Sequence, residues 1–271
     1  MNKTVIVFDL ETTGTDTNTC EVAQVAVAVQ PVEVTDAGML IAAGEMEVHK
    51  TLCRVDEMPP EATAVHGITA EMTEGAQRFF AIAPNMTSRL EDPDVIVVTF
   101  NGRGYDIPVL RRHLAHDPAL DHVDMYRVWQ YVRTTTLTSH WQTSQHHRLP
   151  ASIFSGSLSA MHAFYTGEVF DGAHDAGNDC IATLRPLLEC GIPLHELRRI
   201  TNSPLPNDVD MDGKLKWRGT TATIGFGKHK DTAIEDVPRD YLMWMINKGD
   251  FPRGTCDVIR NFLNGTYPVK R

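Results

Sequence analysis

The sequence predicts an α/β fold, a mixed sheet flanked by helices, followed by a small C-terminal α+β module. Short apolar runs alternate with helical periodicity over most of the chain, and a Pro-, Asn- and Asp-rich stretch interrupts this pattern at 201–213. The charge also changes sign: residues 1–212 carry 14 Lys and Arg against 29 Asp and Glu, whereas residues 213–271 carry 11 against 6. We therefore expect one domain at 1–200, a linker at 201–213 and a second, basic domain at 214–271.

The first domain begins with three predicted strands: KTVIVFDL (3–10), EVAQVAVAV (21–29) and MLIAAGEMEVHK (39–50). The second strand alternates Val and Ala with period 2, which favours a half-buried strand. Two predicted helices follow. The segment PPEATAVHGIT (59–69) predicts a short helix ending at His66, and AQRFFAIAPNMTSRLE (76–91) has apolar residues at helical spacing.

The rest of the first domain continues the alternation. The run DVIVVTF (94–100) predicts a buried strand, and it is followed by a helix (104–116), a strand that turns into a helix (121–129) and two further helices (157–167 and 175–191). Residues 131–152 have no periodicity and predict an irregular insertion or mobile loop. Its histidines, His140, His146 and His147, leave a metal site and a solvated loop as alternatives.

Composition excludes several classes of protein. Five scattered cysteines without a C-x-x-C pair argue against a disulfide framework or a zinc site and suit a reducing compartment. The apolar run before Asp9 is too short for a signal peptide, and no stretch approaches the ~20 apolar residues of a membrane span. We expect a soluble, cytoplasmic protein with no membrane partner.

Two acidic residues close the first predicted strand, in the stretch VIVFDLETTG (5–14). Because residues i and i+2 of a strand share a face, Asp9 and Glu11 place two carboxylates side by side at its C-terminal end. Like charges at this spacing repel each other, and a divalent cation such as Mg²⁺ or Mn²⁺ is the usual compensation. A polar strand end followed by a Thr-Gly turn is the alternative.

Two more acids and a histidine lie in settings that fit the same chemistry. Asp106 follows a buried strand and a Gly-rich turn, where an unpaired carboxylate is costly, although helix capping is the alternative. Asp179 lies off the apolar face of its helix, and His174 stands five residues before it. A surface or capping role is the alternative for this histidine.

The order of these residues resembles a known pattern. Asp-x-Glu on the first strand, an Asp in the middle and His-x-x-x-x-Asp near the end are similar to the DEDDh family of 3'-to-5' exonucleases, which includes replicase proofreading subunits and the RNase T group. The resemblance covers about residues 4–190 and rests on FDLETTG, AVHGIT and HDAGND. It implies an RNase H-like fold and the release of 5'-nucleoside monophosphates from a 3' end.

The resemblance implies roles for individual residues. Asp9, Glu11, Asp106 and Asp179 would hold two divalent cations, Mg²⁺ or Mn²⁺, and His174 would be the general base.

Residues near the substrate follow from the same resemblance: Thr12, Thr13, Gly14, His66 and Asn101. Gly14 would allow the backbone to approach the terminal nucleotide closely. The middle motif departs from the common His-Asn-x-x-Phe-Asp pattern, because Phe100 replaces the His and Asn101 lies five residues before Asp106.

The C-terminal segment GFGKHKDTAIEDVPRDYLMWMI resembles the small domain of exonuclease X-type DNA exonucleases. It predicts a strand–turn–strand unit and two helices, with Lys228 and Lys230 on a basic turn and Trp217 nearby. Cations interleaved with an aromatic residue suit a single-stranded nucleic acid, and a helix-packing appendage is the alternative. The expected partner is DNA, as single strands or 3' ends. RNA is the alternative substrate, and a non-catalytic nucleic-acid-binding scaffold is the alternative function. A homodimer is a further expected assembly.

Overall fold

The computed structural model describes residues 1–137, 155–170, 172–247 and 251–270. The chain forms two compact units. The first contains Met1–Arg133 and the described residues up to Thr201, and the second contains residues 134–137 and the chain from Asn202 onward.

A six-stranded mixed sheet forms the centre of the first unit. Its strands are β1 (Asn2–Thr12), β2 (Val22–Val34), β3 (Leu40–Ala42), β4 (Glu47–Leu52), β5 (Val95–Thr99) and β6 (His122–Asp124). The order is β3-β2-β1-β5-β6, with β4 also paired to β2. β1 is antiparallel to β2 and parallel to β5, and β6 is parallel to β5. The predicted mixed sheet is confirmed.

The single strand predicted at 39–50 is wrong, because β3 and β4 are separate strands. β3 pairs with residues 32–34 of β2 and β4 with residues 24–29. Between them, the Gln30 side-chain amide donates to the carbonyls of Pro31 and Gly44, each at 2.9 Å. Proline has no N–H to continue a ladder, so the partner strand is interrupted opposite Pro31.

Seven helices lie in the described part of the first unit: α1 (Pro60–His66), α2 (Phe79–Leu90), α3 (Asp106–Arg112), α4 (Met125–Val132), α5 (Leu158–Thr166), α6 (Ala176–Glu189) and α7 (Leu194–Thr201). The sequence predicts the first six. It does not predict α7, whose buried residues Leu194, Leu197 and Ile200 are spaced three apart among charged ones.

The two faces of the sheet have different roles. Ile6, Phe8 and Leu10 of β1 point to a core that α2 and α3 complete with residues such as Phe79 and Leu110. The alternating residues of β1, including Asp9 and Glu11, point to the opposite face. There α6 packs on β1 and β2, and its Cys180 thiol donates to the Ala26 carbonyl at 3.6 Å. The carboxylates therefore lie between the sheet and α6.

The second unit has a two-stranded sheet, β7 (Leu215–Arg218) and β8 (Thr221–Ile224), and two helices, α8 (Arg239–Asn247) and α9 (Arg253–Leu263). Part of the stretch predicted as a linker, 201–213, packs into this unit. The buried Asp210 carboxylate accepts from the Leu215 N–H at 3.0 Å and from the Thr255 hydroxyl. The buried Asp208 pairs with Lys216 at 2.5 Å.

Other features bear on the sequence expectations. All five cysteines are free thiols, and four of them are buried. Within the described ranges, no helix is both long and apolar enough to cross a bilayer. Of the predicted insertion at 131–152, Arg133–Leu137 form a π-helical segment. Residues 138–152, with His140, His146 and His147, lie outside the described residues.

Candidate active site

Asp9 and Glu11 share one face at the end of β1, as the two-residue period of a strand predicts. They pair with Ala26 and Gln24 of β2, and the register shifts between Glu11 and Thr12. Such a bulge ends regular pairing and re-aims the chain next to the site. Carboxylate oxygens of Asp9, Glu11 and Asp179 lie within 4.8 Å of one another. Three formal negative charges therefore converge at this strand end.

Asp179 reaches this cluster from the first turn of α6. The helix begins at Asp175, whose carboxylate caps it by accepting from the Asn178 N–H at 3.0 Å and also pairs with Lys50 at 2.9 Å. One oxygen of Asp179, Oδ2, accepts from the His174 N–H at 3.1 Å. The other oxygen, Oδ1, is buried without a hydrogen-bond partner among the described residues. A buried acceptor left unpaired requires a proton or a cation.

Asp106 supplies a fourth carboxylate beside the first three. Its side chain is 3% exposed, and its Oδ1 accepts from the Leu10 N–H at 3.1 Å, next to Asp9 in the chain. The helix-cap alternative is not observed, because α3 has no side-chain cap hydrogen bond. Asp106 is not among the three carboxylates that converge within 4.8 Å, and its charge is a cause, after burial, of the raised pKa of Asp9.

The electrostatics of the cluster indicate a site for a cation. Burial, and then the neighbouring acids, raises the pKa of Asp9 well above its usual range. Burial is also the largest cause that raises the pKa of Glu11 and of Asp106 to about 7, and the pKa of Asp179 to about 6. Carboxylate oxygens are the ligands that Mg²⁺ and Mn²⁺ prefer, so the residues present fit such an ion.

A buried residue that the sequence analysis missed, Asp124, holds the loop before Asp106. Its carboxylate accepts from the N–H groups of Asn101 at 2.9 Å, Arg103 at 3.1 Å and Tyr126 at 3.0 Å. In the sequence, Asp124 carries only the signal of a helix N-cap, which it also is. The predicted Asn101 thus contributes its backbone to this loop at a φ of 66°, while the residue itself is exposed.

His174 is exposed and adopts a left-handed backbone conformation, with a φ of 69°. Its backbone N–H is used by Asp179, and its imidazole has no hydrogen-bond partner in the part of the chain that the structure describes. Burial is the largest cause that lowers the pKa of His66, and a protonated His174 lowers it further.

His66 connects the end of α1 to the end of β1. Its Nδ1 accepts from the Ile68 N–H at 3.1 Å, so the hydrogen lies on Nε2, which donates to the Thr12 carbonyl at 3.2 Å. Both ring nitrogens are thus engaged by the backbone. A substrate contact by His66, as predicted from the sequence, would use the face or edge of the ring.

The Thr-Thr-Gly segment after β1 is held firmly. Thr13 exchanges two hydrogen bonds with Glu21, each at 2.9 Å. The hydroxyls of Thr12 and Tyr105 both donate to the Gly14 carbonyl, at 2.8 and 2.5 Å. A Cβ at Gly14 would meet no protein atom within 4 Å, and its φ is not in the left-handed region. The described residues therefore leave open space beside Gly14.

The predicted basic residues of the second unit fall into two groups. Lys228 and Lys230 are exposed and have no carboxylate partner among the described residues. Lys216 pairs with Asp208 and Arg218 with Asp231, while Trp217 packs against the core of the unit. The exposed lysines without a carboxylate partner among the described residues therefore include Lys214 and the two on the turn at 227–230.

A mixed sheet with carboxylates at the end of its first strand, and another on a helix packed against that strand, defines a domain of the RNase H-like class. A family model described as an exonuclease, of the RNase T type, matches residues 6–186. The chain belongs to this exonuclease family. A second model, named for a quorum-sensing-regulated virulence factor, matches residues 218–267.

Solved structures similar to this chain include exonucleases I. One has a TM-score of 0.54 at 22% identity, and E. coli exonuclease I bound to zinc and single-stranded DNA has 0.55 at 22%; each match covers 73% of this chain and 42% of the other. The enzyme from Methylocaldum szegediense has a TM-score of 0.51 at 21% identity, with the same coverage. At these identities the likeness shows the fold, and the chain spans less than half the length of these proteins. No curated protein sequence shows a significant match.

Proposed function

We propose that this chain is a 3'-to-5' exonuclease that releases 5'-nucleoside monophosphates from DNA and uses two divalent cations. The observation that carries the proposal is the convergence of Asp9, Glu11 and Asp179 within 4.8 Å, in a chain of the exonuclease family. The unpartnered Asp179 Oδ1 supports it, because that buried oxygen needs a positive partner.

The four carboxylates have the donor chemistry for Mg²⁺ or Mn²⁺, with Asp9, Glu11, Asp106 and Asp179 as the ligands. When bound, such ions polarise a phosphodiester and lower the pKa of a coordinated water. Asp106 adds a positioning role, because its bond to the Leu10 N–H holds the end of β1 in place. Loss of any of these carboxylates removes charge that the fold has concentrated at one point.

His174 is the proposed general base. Its exposed imidazole can take a proton at a ring nitrogen from the attacking water, a role that histidine commonly fills. The bond from its backbone N–H to Asp179 keeps the loop beside the carboxylates. The base and one proposed metal ligand are therefore held by a single hydrogen bond.

The substrate end of the site is formed by Thr12, Thr13, Gly14 and His66. The open space beside Gly14 supports close approach of the terminal nucleotide to the backbone. Asn101, Lys228 and Lys230 are proposed to contact the strand further from its end. DNA is proposed as the substrate because E. coli exonuclease I, a fold neighbour, was solved with single-stranded DNA. A homodimer remains a prediction from the sequence.

The test is a time course on matched DNA and RNA oligonucleotides labelled at either end, in Mg²⁺. We expect 3'-labelled DNA to lose its label first as a mononucleotide, and 5'-labelled DNA to shorten by single nucleotides. Asp9→Asn should abolish release, and Asp36→Asn, an exposed loop acid, should not. Label lost first from the 5' end overturns the polarity. Faster cleavage of RNA supports an RNA exonuclease, and binding without hydrolysis supports a scaffold.

A further inference from the structure

Five rings of the second unit follow one another in a series, which we call the aromatic strip: His229, Tyr241, Trp244, Phe251 and Phe226. Centroid distances along the series are 4.5 Å from His229 to Tyr241 and 5.4 Å from Tyr241 to Trp244. They are 5.8 Å from Trp244 to Phe251 and 5.2 Å from Phe251 to Phe226. None of the five residues is fully buried.

The centre of the strip lies on the solvent side of α8. Leu242 and Met245 of this helix are buried in the core of the unit, whereas Trp244 is 44% exposed. Its ring is inclined by 32° to that of the neighbouring Tyr241. An exposed tryptophan that the core does not use is typical of an interaction surface.

Two lysines lie over rings of the strip, one over its second ring and one over its last. Lys228 Nζ lies 5.2 Å from the Tyr241 centroid, and Lys214 Nζ lies 5.9 Å from the Phe226 centroid. Within the described ranges neither lysine has a carboxylate partner, unlike Lys216. The surface therefore combines positive charge with the exposed ring of Trp244 and half-buried neighbouring rings, which matches a chain of phosphates bearing stackable bases.

We propose that the aromatic strip is a stacking platform for single-stranded DNA, with bases on Trp244 and Tyr241 and phosphates near Lys228 and Lys214. It assigns the main aromatic contact to Trp244, the exposed member of the strip, because Tyr241 and Trp217 both pack partly on the core. The inference rests on the proposed function, because it takes the strand to be the substrate of the exonuclease unit. It adds a binding site on the second unit for that strand.

The test is binding of a fluorescent 20-nucleotide oligothymidine to the full chain in EDTA, measured by anisotropy. Trp244→Ala should weaken binding about 10-fold, while Trp244→Phe, which keeps a ring, stays close to wild type. Met243→Ala is the matched control, because Met243 is 39% exposed on the same helix but lies outside the strip. Thermal unfolding of each variant confirms that it is folded. Equal affinities of wild type and Trp244→Ala overturn the proposal, as does equal binding of duplex DNA.

Hydrolysis of a dinucleotide in Mg²⁺ separates the two proposals. If Trp244→Ala binds the long strand as wild type does and the wild type hydrolyses the dinucleotide, the platform fails and the exonuclease stands. If the wild type hydrolyses neither substrate but Trp244→Ala still loses affinity, the exonuclease fails and the platform stands.

Discussion

The two units of this chain place their functional groups in opposite ways. The first concentrates acidic side chains at the end of β1 and leaves one Asp179 oxygen without a hydrogen-bond partner among the described residues. The second has on its surface an exposed Trp244 ring and lysines that have no carboxylate partner within the described ranges, and its buried acids Asp208 and Asp210 are hydrogen-bonded. Buried like charge costs folding free energy, whereas an exposed aromatic side chain costs little.

The two units should therefore respond to different solution conditions. The carboxylate cluster is balanced by cations or protons, so divalent ions and pH should control the first unit. The second unit offers charge and rings to solvent, so monovalent salt and ring removal should control it. Each prediction below tests whether the two responses are separate.

The largest effect is expected from Asp9→Asn. It removes one acid of the converging three, and nucleotide release should fall by ~10⁴-fold or more, because stabilisation of the transition state by the cations is lost. In EDTA the same variant should unfold at a higher temperature than wild type, since repulsion is relieved. Wild-type turnover that persists in EDTA would contradict the role of the cluster.

The next effect concerns His174→Ala. If His174 takes the proton, turnover should fall by ~10²–10⁴-fold, with affinity for the strand nearly unchanged. His116→Ala is a control, because His116 is also exposed but pairs with Glu91 instead. Near-normal turnover of His174→Ala would show that a group other than His174 accepts the proton.

A smaller effect is expected in the stability of the metal-free chain. Glu11 and Asp106 have pKa values raised to about 7 in the folded state, so the folded state holds protons that the unfolded state has released. Stability is therefore greatest below pH 4 to 5 for these groups and falls as pH rises to about 7, by about 3–4 kcal/mol for each group. Denaturant unfolding in EDTA should show this loss, and saturating Mg²⁺ should restore it. A flat profile would contradict the raised pKa values of these two carboxyls.

The smallest effect is on the salt dependence of binding. Lys228→Ala and Lys230→Ala should each lower the slope of log affinity against log salt by ~0.7 for a single strand. Arg89→Ala removes an exposed charge from the first unit and should leave the slope unchanged. Salt slopes equal to that of wild type for all three variants would show that these lysines of the second unit do not contact the phosphates.

Much of the fold follows from local patterns. The apolar runs of β1 and β5 and the spacing of α2 and α6 are properties of short segments, which sequence periodicity reports. The break between β3 and β4 depends on Pro31 of a neighbouring strand, and α7 has too few apolar residues to stand out. Both are decided by tertiary contacts that no local pattern contains.

The candidate site was predictable to a similar degree. The spacing of Asp9 and Glu11 is enough to place both on one face, and the resemblance to exonucleases supplies Asp106, Asp179 and His174. Asp124 was missed, because two of its three hydrogen bonds go to a loop more than 20 residues away. Engagement of both His66 nitrogens also required the structure.

Gly102 has a consequence for how this loop can change over evolutionary time. A Cβ at this position would lie 2.5 Å from the Thr99 Cβ, so shortening Thr99 to Ser or Ala would not make room for it. No single compensating substitution at 99 short of glycine opens the position, whereas the neighbouring Arg103 is exposed. In a library randomised at both positions and selected for folding, we expect residue 103 to diversify and residue 102 to remain glycine. In the loop before Asp106, position 102 therefore does not tolerate a single substitution, whereas position 103 does.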